Sequence, residues 1–195
     1  MDRALDFAHM TTAGRIIVLC WVVFAVVWIA GAFFTKREVK RGRWGIGWIV
    51  LVAALVPMRQ PVRWLHVGAL LWVYTPWTGL VADMLTVIGL ITALWARAVI
   101  AGNWSSSVAL KEQHELIDRG PYRIVRHPIY SGVLLMVLGT VVLGGQVAGL
   151  IAFGLCVAGL AIKAAGEERL LTEHFPTDYP RYRARVKAAI IPFLI

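Results

Sequence analysis

Two short stretches hold most of the side chains in this sequence that can do chemistry. The first, GPYRIVRHPIYSG at 120–132, brings together Tyr122, Arg123, Arg126, His127 and Tyr130. The second, KAAGEERLL at 163–171, offers Lys163 and the adjacent carboxylates Glu167 and Glu168. Such groups suit a charged or zwitterionic ligand. Arginine pairs with a carboxylate or phosphate, glutamate pairs with an ammonium, and tyrosine and histidine rings give hydrogen bonds and aromatic surface. Elsewhere in the chain, Arg97, His114 and the run RYRAR at 181–185 add further polar groups. No metal centre or disulfide is suggested: Cys20 and Cys156 lie singly inside apolar runs, with no CxxC pair and no His/Cys cluster.

The elements that must position these groups are membrane helices. Hydrophobic residues make up 59% of the 195 and charged residues only 16%, against roughly 25% charged in a soluble domain. Mean hydropathy is +0.70. A net charge of +9 would point to nucleic acid in a soluble chain. Here the bases cluster between apolar runs, so anionic lipid headgroups are the expected contact, with no nucleic acid as partner. The segment before the first apolar run carries two acids and few bases, unlike a cleaved signal peptide.

We read one membrane domain over 1–195, all-α, with about five transmembrane helices. The first is Ile16 to Phe34 and the second Trp44 to Val56. Residues 57–77 read as a loop plus an interfacial or partly inserted helix. The third span is Gly79 to about Ile100. Pro128 to Leu143 and Gln146 to about Ala165 then form a tight pair joined by Gly144-Gly145. Residues 1–96 would shape substrate access and 97–195 would hold the cofactor and the chemistry. With the N-terminus outside, the segments 35–43, 97–127 and 163–195 face the cytoplasm and carry sixteen of the twenty Lys/Arg. That is the asymmetry expected of a multi-pass protein in this orientation. Beyond Glu167 the tail is charged and aromatic, and Pro176, Pro180 and Pro192 break it into short pieces.

A tight hairpin places its two cytoplasmic ends side by side. His127 and Tyr130, where one helix starts, therefore come near Lys163, Glu167 and Glu168, where the other leaves the membrane. Each group has a plainer reading of its own. Arg97, Arg123 and Arg126 can be snorkelling anchors, and Tyr122 and Tyr130 part of an aromatic belt. Glu167-Glu168 can be a first solvated turn, His114 a surface histidine, and Pro128 an ordinary first helical residue. None of these readings accounts for the convergence of all of them, and charge at half-buried depth is costly unless paired.

The order of these groups resembles the isoprenylcysteine carboxyl methyltransferase family and, more broadly, the membrane phospholipid methyltransferases. The matching elements are Asn103-Trp104, His114-x-Leu116, Gly120-x-Tyr122, Arg126-His127-Pro128-x-Tyr130-x-Gly132, Glu167-Glu168, Phe175, Tyr179, Tyr182 and Ile191-Pro192-Phe193, over about the last hundred residues. The resemblance implies a helical membrane methyltransferase that takes S-adenosylmethionine from the cytoplasm and a lipophilic acceptor from the bilayer. The lack of a GxGxxG loop agrees with that fold. On this reading His114, Leu116, Tyr122, His127, Pro128, Tyr130, Tyr179 and Tyr182 line the cofactor. Glu167 or Glu168 pairs with its ammonium, Arg126 or Arg185 with its carboxylate, and Arg97 and Glu168 serve catalysis, Arg97 by holding a carboxylate acceptor. The acceptor itself stays open among carboxylates, thiols, amines and phospholipid headgroups.

Two other classes remain at this level. A sterol-reductase-like enzyme would use NADPH, with RYRAR taking the 2′-phosphate. A carrier or scaffold would need charges at mid-depth, whereas these lie at one membrane face. The small residues Gly149, Gly154, Ala158, Ala161 and Ala165 mark a stripe for close helix packing.

Overall fold

The computed structural model of the chain describes residues 11–32, 38–41, 69–100, 109–111 and 116–191. Among the described residues four apolar helices make the body: α1 (Thr12–Ala32), α2 (Pro76–Ile100), α3 (Pro128–Gly144) and α4 (Val147–His174). A short α5 (Asp178–Arg185) follows, and a single 3-10 turn, Gly120–Arg123, precedes α3. The architecture is that of an all-α membrane protein. One two-stranded antiparallel ribbon, β1 (Glu38–Arg41) with β2 (Ala109–Lys111), is a small addition that hydropathy did not foreshadow.

Alpha-helices α1, α2 and α4 are long and apolar enough to cross a membrane, and α3 is a shorter apolar helix of 17 residues. The first two are parallel. Ala13 lies beside Gly79 at one end, and at the other the Gly31 carbonyl accepts a hydrogen bond from Arg97 Nη2 at 3.0 Å. A parallel pair requires the chain to return between them. The sequence reading gives that passage to 44–56, which lies outside the described residues. The expected spans at 79–100, 128–143 and 146–165 correspond to α2, α3 and α4.

The closest packing is between α2 and α3, which run antiparallel. Ala82, Thr86, Gly89, Ala93 and Ala96 form one buried stripe on α2 at helical spacing. A methyl group added at Gly89 would lie 2.5 Å from the Gly132 carbonyl oxygen, and one added at Gly132 would lie 2.6 Å from that of Gly89. Only glycine allows the two backbones to approach this way. Of the stripe expected on α4, Gly149 does pack on Val141, but Gly154 faces open space.

At the far end, Gly145 takes a left-handed conformation (φ 61°) that ends α3, and α4 begins two residues later. The extended segment at 69–72 is laced to this turn. Leu71 N donates to the Gly145 carbonyl at 2.7 Å, and Trp72 Nε1 donates to that of Val142 at 2.9 Å. The described part of 57–77 is thus an extended tie rather than a helix until Pro76 opens α2.

Alpha-helix α4 has 28 residues, so it is about 42 Å long and outreaches a hydrocarbon core of ~30 Å. Its residues up to Gly166 are almost wholly apolar, whereas Glu167 to His174 carry the charges and project beyond the span. The helix persists past the expected end near Ala165 because the extension holds good helix formers. It stops at Phe175, before Pro176. Pro180 does not break the tail: it sits in the first turn of α5, where its missing N–H has no helical partner to lose.

Candidate functional site

The site is built where α3 begins and the apolar part of α4 ends. Pro128 starts α3, and His127 before it is held off helical geometry (φ −125°, ψ 63°). Its ring is thereby left at the helix mouth, stacked on the Tyr130 ring at 5.3 Å with planes 3° apart. The N-terminal end of a helix carries partial positive charge and attracts carboxylates. Glu167 and Glu168, neighbours on α4, arrive there from either side of the imidazole. Glu167 Oε2 lies 3.5 Å from Nδ1, and Glu168 Oε1 lies 3.2 Å from Nε2.

Each carboxylate has further partners. Tyr130 donates its hydroxyl hydrogen to Glu167 Oε1 at 2.6 Å, and Lys163, one turn earlier on α4, stands 3.8 Å from the same oxygen and 5.2 Å from the centre of the Tyr130 ring. Arg126 Nε donates to Glu168 Oε1 at 2.8 Å, and the exposed Arg183 approaches Glu168 Oε2 at 3.7 Å. Burial opposes charge on His127, but hydrogen bonds and Coulomb attraction from Glu167 and Glu168 outweigh it and raise its pKa above the usual 6.5. Burial likewise opposes ionisation of Glu168, yet His127 and Arg126 win and hold its carboxyl down at about 2. Glu167 is lowered in the same manner, against its burial, by His127, Lys163 and Tyr130.

A second layer of aromatic residues comes from α5. Tyr179 and Tyr182 of α5 pack with Val186, Leu116, Leu171 and Phe175. Tyr182 donates its hydroxyl hydrogen to the Tyr122 carbonyl at 2.7 Å, joining α5 to the 3-10 turn. Tyr122 itself is buried, and burial followed by the Glu167 charge pushes its hydroxyl pKa far up, so it stays a neutral donor. Tyr179 is 1% exposed, and its hydroxyl has no hydrogen-bond partner among the described residues.

The structure thus brings together Tyr122, Arg126, His127, Pro128, Tyr130, Glu167 and Glu168, with Leu116, Tyr179 and Tyr182 as a wall. Arg97 is level with the start of α3, 9% exposed, its guanidinium against the Gly31 carbonyl. Arg185 is exposed and pairs at the surface with Asp118. The arginines of RYRAR do not form one cradle, since Arg183 turns to Glu168 and Arg185 to Asp118. His114 lies outside the described residues. Sequence reasoning missed Ser131, whose hydroxyl donates to the Ile190 carbonyl and to that of His127. Serine in a helical first turn carries no pattern that would single it out.

The model of the phospholipid methyltransferase family matches residues 57–178, more than half of the sequence. The chain belongs to that family. Among curated relatives of this family member, protein-S-isoprenylcysteine O-methyltransferase B of Arabidopsis thaliana is 35% identical over 115 residues, which is 56% of this chain and 58% of the relative. A probable protein-S-isoprenylcysteine O-methyltransferase of Oryza sativa subsp. indica is 35% identical over 85 residues, 43% of this chain and 44% of the relative. An uncharacterized protein of Bacillus subtilis, YpbQ, is 27% identical over 89 residues, 46% of this chain and 45% of the relative. The chain spans about half the length of the curated relatives it matches. Arg97, Tyr122, the 126–130 stretch and the glutamate pair fall inside the family match, whereas Tyr179, Tyr182 and Arg185 lie just past its end.

Proposed function

We propose that this protein is an S-adenosylmethionine-dependent methyltransferase acting on a lipophilic acceptor, most simply a carboxylate of the kind named by its isoprenylcysteine O-methyltransferase relatives. The observation that carries the proposal is the pair Glu167-Glu168, buried against His127 and Tyr130 at one membrane face. A fold needs no such density of charge for an anchor.

The donor set fits the cofactor. A zwitterionic amino acid head wants an anion for its ammonium, and Glu168 stays ionised down to about pH 2. Leu116, Tyr179 and Tyr182 offer an apolar and aromatic wall suited to a purine, and the buried Tyr179 hydroxyl still has a hydrogen bond to make among these groups. When bound, the cofactor supplies a methyl group on a sulfonium, open to in-line displacement. The chain's own work is then to hold, orient and exclude water. Glu167 and Glu168 hold positive charge. His127, gripped by both, fixes their orientation and balances their charge. Neutral tyrosine faces suit a nearby cation.

Arg97, buried at the level of Pro128, holds the anionic end of the acceptor from the bilayer side. A carboxylate acceptor is already a nucleophile, so alignment rather than proton removal is the task. The sixteen-to-four bias of Lys/Arg supports a cytoplasmic site with the N-terminus outside.

The test is calorimetry with S-adenosylhomocysteine on protein in nanodiscs, followed by mass spectrometry of methylated products from a lipid extract. Binding by the native protein, lost in Glu168→Ala with the helical fold intact, is the expected result. Equal binding by both would overturn the site. Stabilisation by NADPH and not by the sulfur cofactor would replace methyl transfer with the reductase reading.

A further inference from the structure

The segment after α5 is held in a way that the ion cluster alone does not require. Five successive backbone carbonyls, those of Val186, Lys187, Ala188, Ala189 and Ile190, accept hydrogen bonds from donors packed into the six residues 126–131. Arg126 Nη1 donates to Val186 at 2.7 Å and also to Lys187. The Arg126 backbone N–H donates to Ala188 at 3.0 Å and that of His127 to Ala189 at 2.8 Å. The Ser131 hydroxyl donates to Ile190. Val186 and Ala188 are buried, while Lys187 is exposed, so the segment lies against the site with its main chain curved around residues 126–131.

The guanidinium that grips the first two carbonyls is itself aimed by Glu168, through the Nε bond at 2.8 Å. One carboxylate therefore touches both the candidate cofactor site and the residue that pins the tail. Main-chain carbonyls need partners once they leave water, and here all five take them from residues 126–131.

We propose that Arg126 and Ser131 are positioning residues of the site: they clasp residues 186–190 as a strap across the ion cluster, and cofactor exchange requires this strap to lift. This rests on the cofactor reading given above. The strap lies past the end of the family match at residue 178. The clasp acts through the strap, not on the reacting atoms.

Hydrogen exchange reads the clasp directly, because the amides of Arg126 and His127 are protected only while Ala188 and Ala189 lie on them. In Ser131→Ala, exchange at these two amides should rise several-fold. S-adenosylhomocysteine should dissociate faster by up to about tenfold, the worth of one hydrogen bond, and the effect on turnover should fall on KM for S-adenosylmethionine rather than on kcat. Ser131→Thr, which keeps the hydroxyl, should restore both. Arg126→Lys, which retains charge but cannot hold Glu168 from one nitrogen and the two carbonyls from another, should loosen the strap further. Unchanged exchange in Ser131→Ala overturns the clasp. Raised exchange with an unchanged off-rate overturns the gating role. If the native protein binds no S-adenosylhomocysteine, the cofactor reading and the gating role fall together, while exchange still decides the clasp.

Discussion

The imidazole of His127 and the carboxylate of Glu168 meet at 3.2 Å across the seam where α3 begins and the apolar part of α4 ends. Both are nearly buried, and each moves the other's titration. The raised pKa of His127 means that its contribution to stability is complete below the ordinary value of 6.5 and fades as pH climbs through the raised one. The lowered pKa of Glu168 means that its contribution is complete above the ordinary 4.5 and fades as pH falls towards about 2. The thermal midpoint in nanodiscs should therefore show a plateau between these limits and decline on both sides. In His127→Gln the alkaline decline should flatten. An alkaline limb of undiminished slope in that variant means that His127 is not the group responsible.

The two glutamates should separate by stability. Glu168 has the better geometry: an Arg126 bond at 2.8 Å, His127 at 3.2 Å, and Arg183 at 3.7 Å. Glu168→Gln strands the Arg126 charge that pins the tail, and should cost about 3 kcal/mol, the low end for breaking a buried pair. In Glu167→Gln the side-chain carbonyl can still accept from Tyr130, so the loss should be nearer 1 kcal/mol, the value of an ordinary hydrogen bond. Equal midpoint shifts for the two would contradict this ranking.

Helix packing gives a test independent of any ligand. An added methyl at Gly132 would lie 2.6 Å from the Gly89 carbonyl oxygen, so Gly132→Ala should destabilise by about 1–3 kcal/mol, as overpacking does. Gly154 lies in α4 with nothing within 4 Å of a built methyl, so Gly154→Ala should be neutral or stabilising by up to about 1 kcal/mol. Unfolding in mixed micelles orders the pair. A destabilised Gly154→Ala would mean that this face is covered.

These glycines also show what the sequence exposes and what it conceals. Gly149, Gly154 and Ala158 repeat at close-packing intervals as convincingly as the α2 stripe does. The intervals do not say which stripe meets backbone and which meets lipid, since both surroundings are apolar. The convergence on His127 was legible for a different reason. Gly144-Gly145 forces a tight turn, a tight turn fixes which ends are neighbours, and Tyr130 then has to face Glu167. The direction of Arg126 was not legible, because its partners include main-chain carbonyls, which every residue carries alike. The same holds for Ser131. Side-chain chemistry can be read along a chain, but a ladder of backbone acceptors emerges only when two distant segments lie together.

Arg97 offers the sharpest division between acceptor and cofactor. It enters from α2, away from the α5 wall, and its guanidinium rests on the Gly31 carbonyl of α1 at 3.0 Å. If it holds the acceptor's anionic end, Arg97→Lys should lower kcat/KM for a carboxylate acceptor about tenfold or more, the loss of one charge-assisted hydrogen bond. Affinity for S-adenosylhomocysteine should stay as it was. Gly31→Ala provides a second route to the same defect, since the new methyl would lie 2.6 Å from Arg97 Nη2 and must displace the guanidinium. The three atoms nearest the added methyl all belong to Arg97, so a shared acceptor defect in the two variants, with cofactor binding intact, is what a positioned guanidinium requires. Normal acceptor kinetics in Gly31→Ala, or a matching loss of cofactor affinity in both, would remove Arg97 from that role.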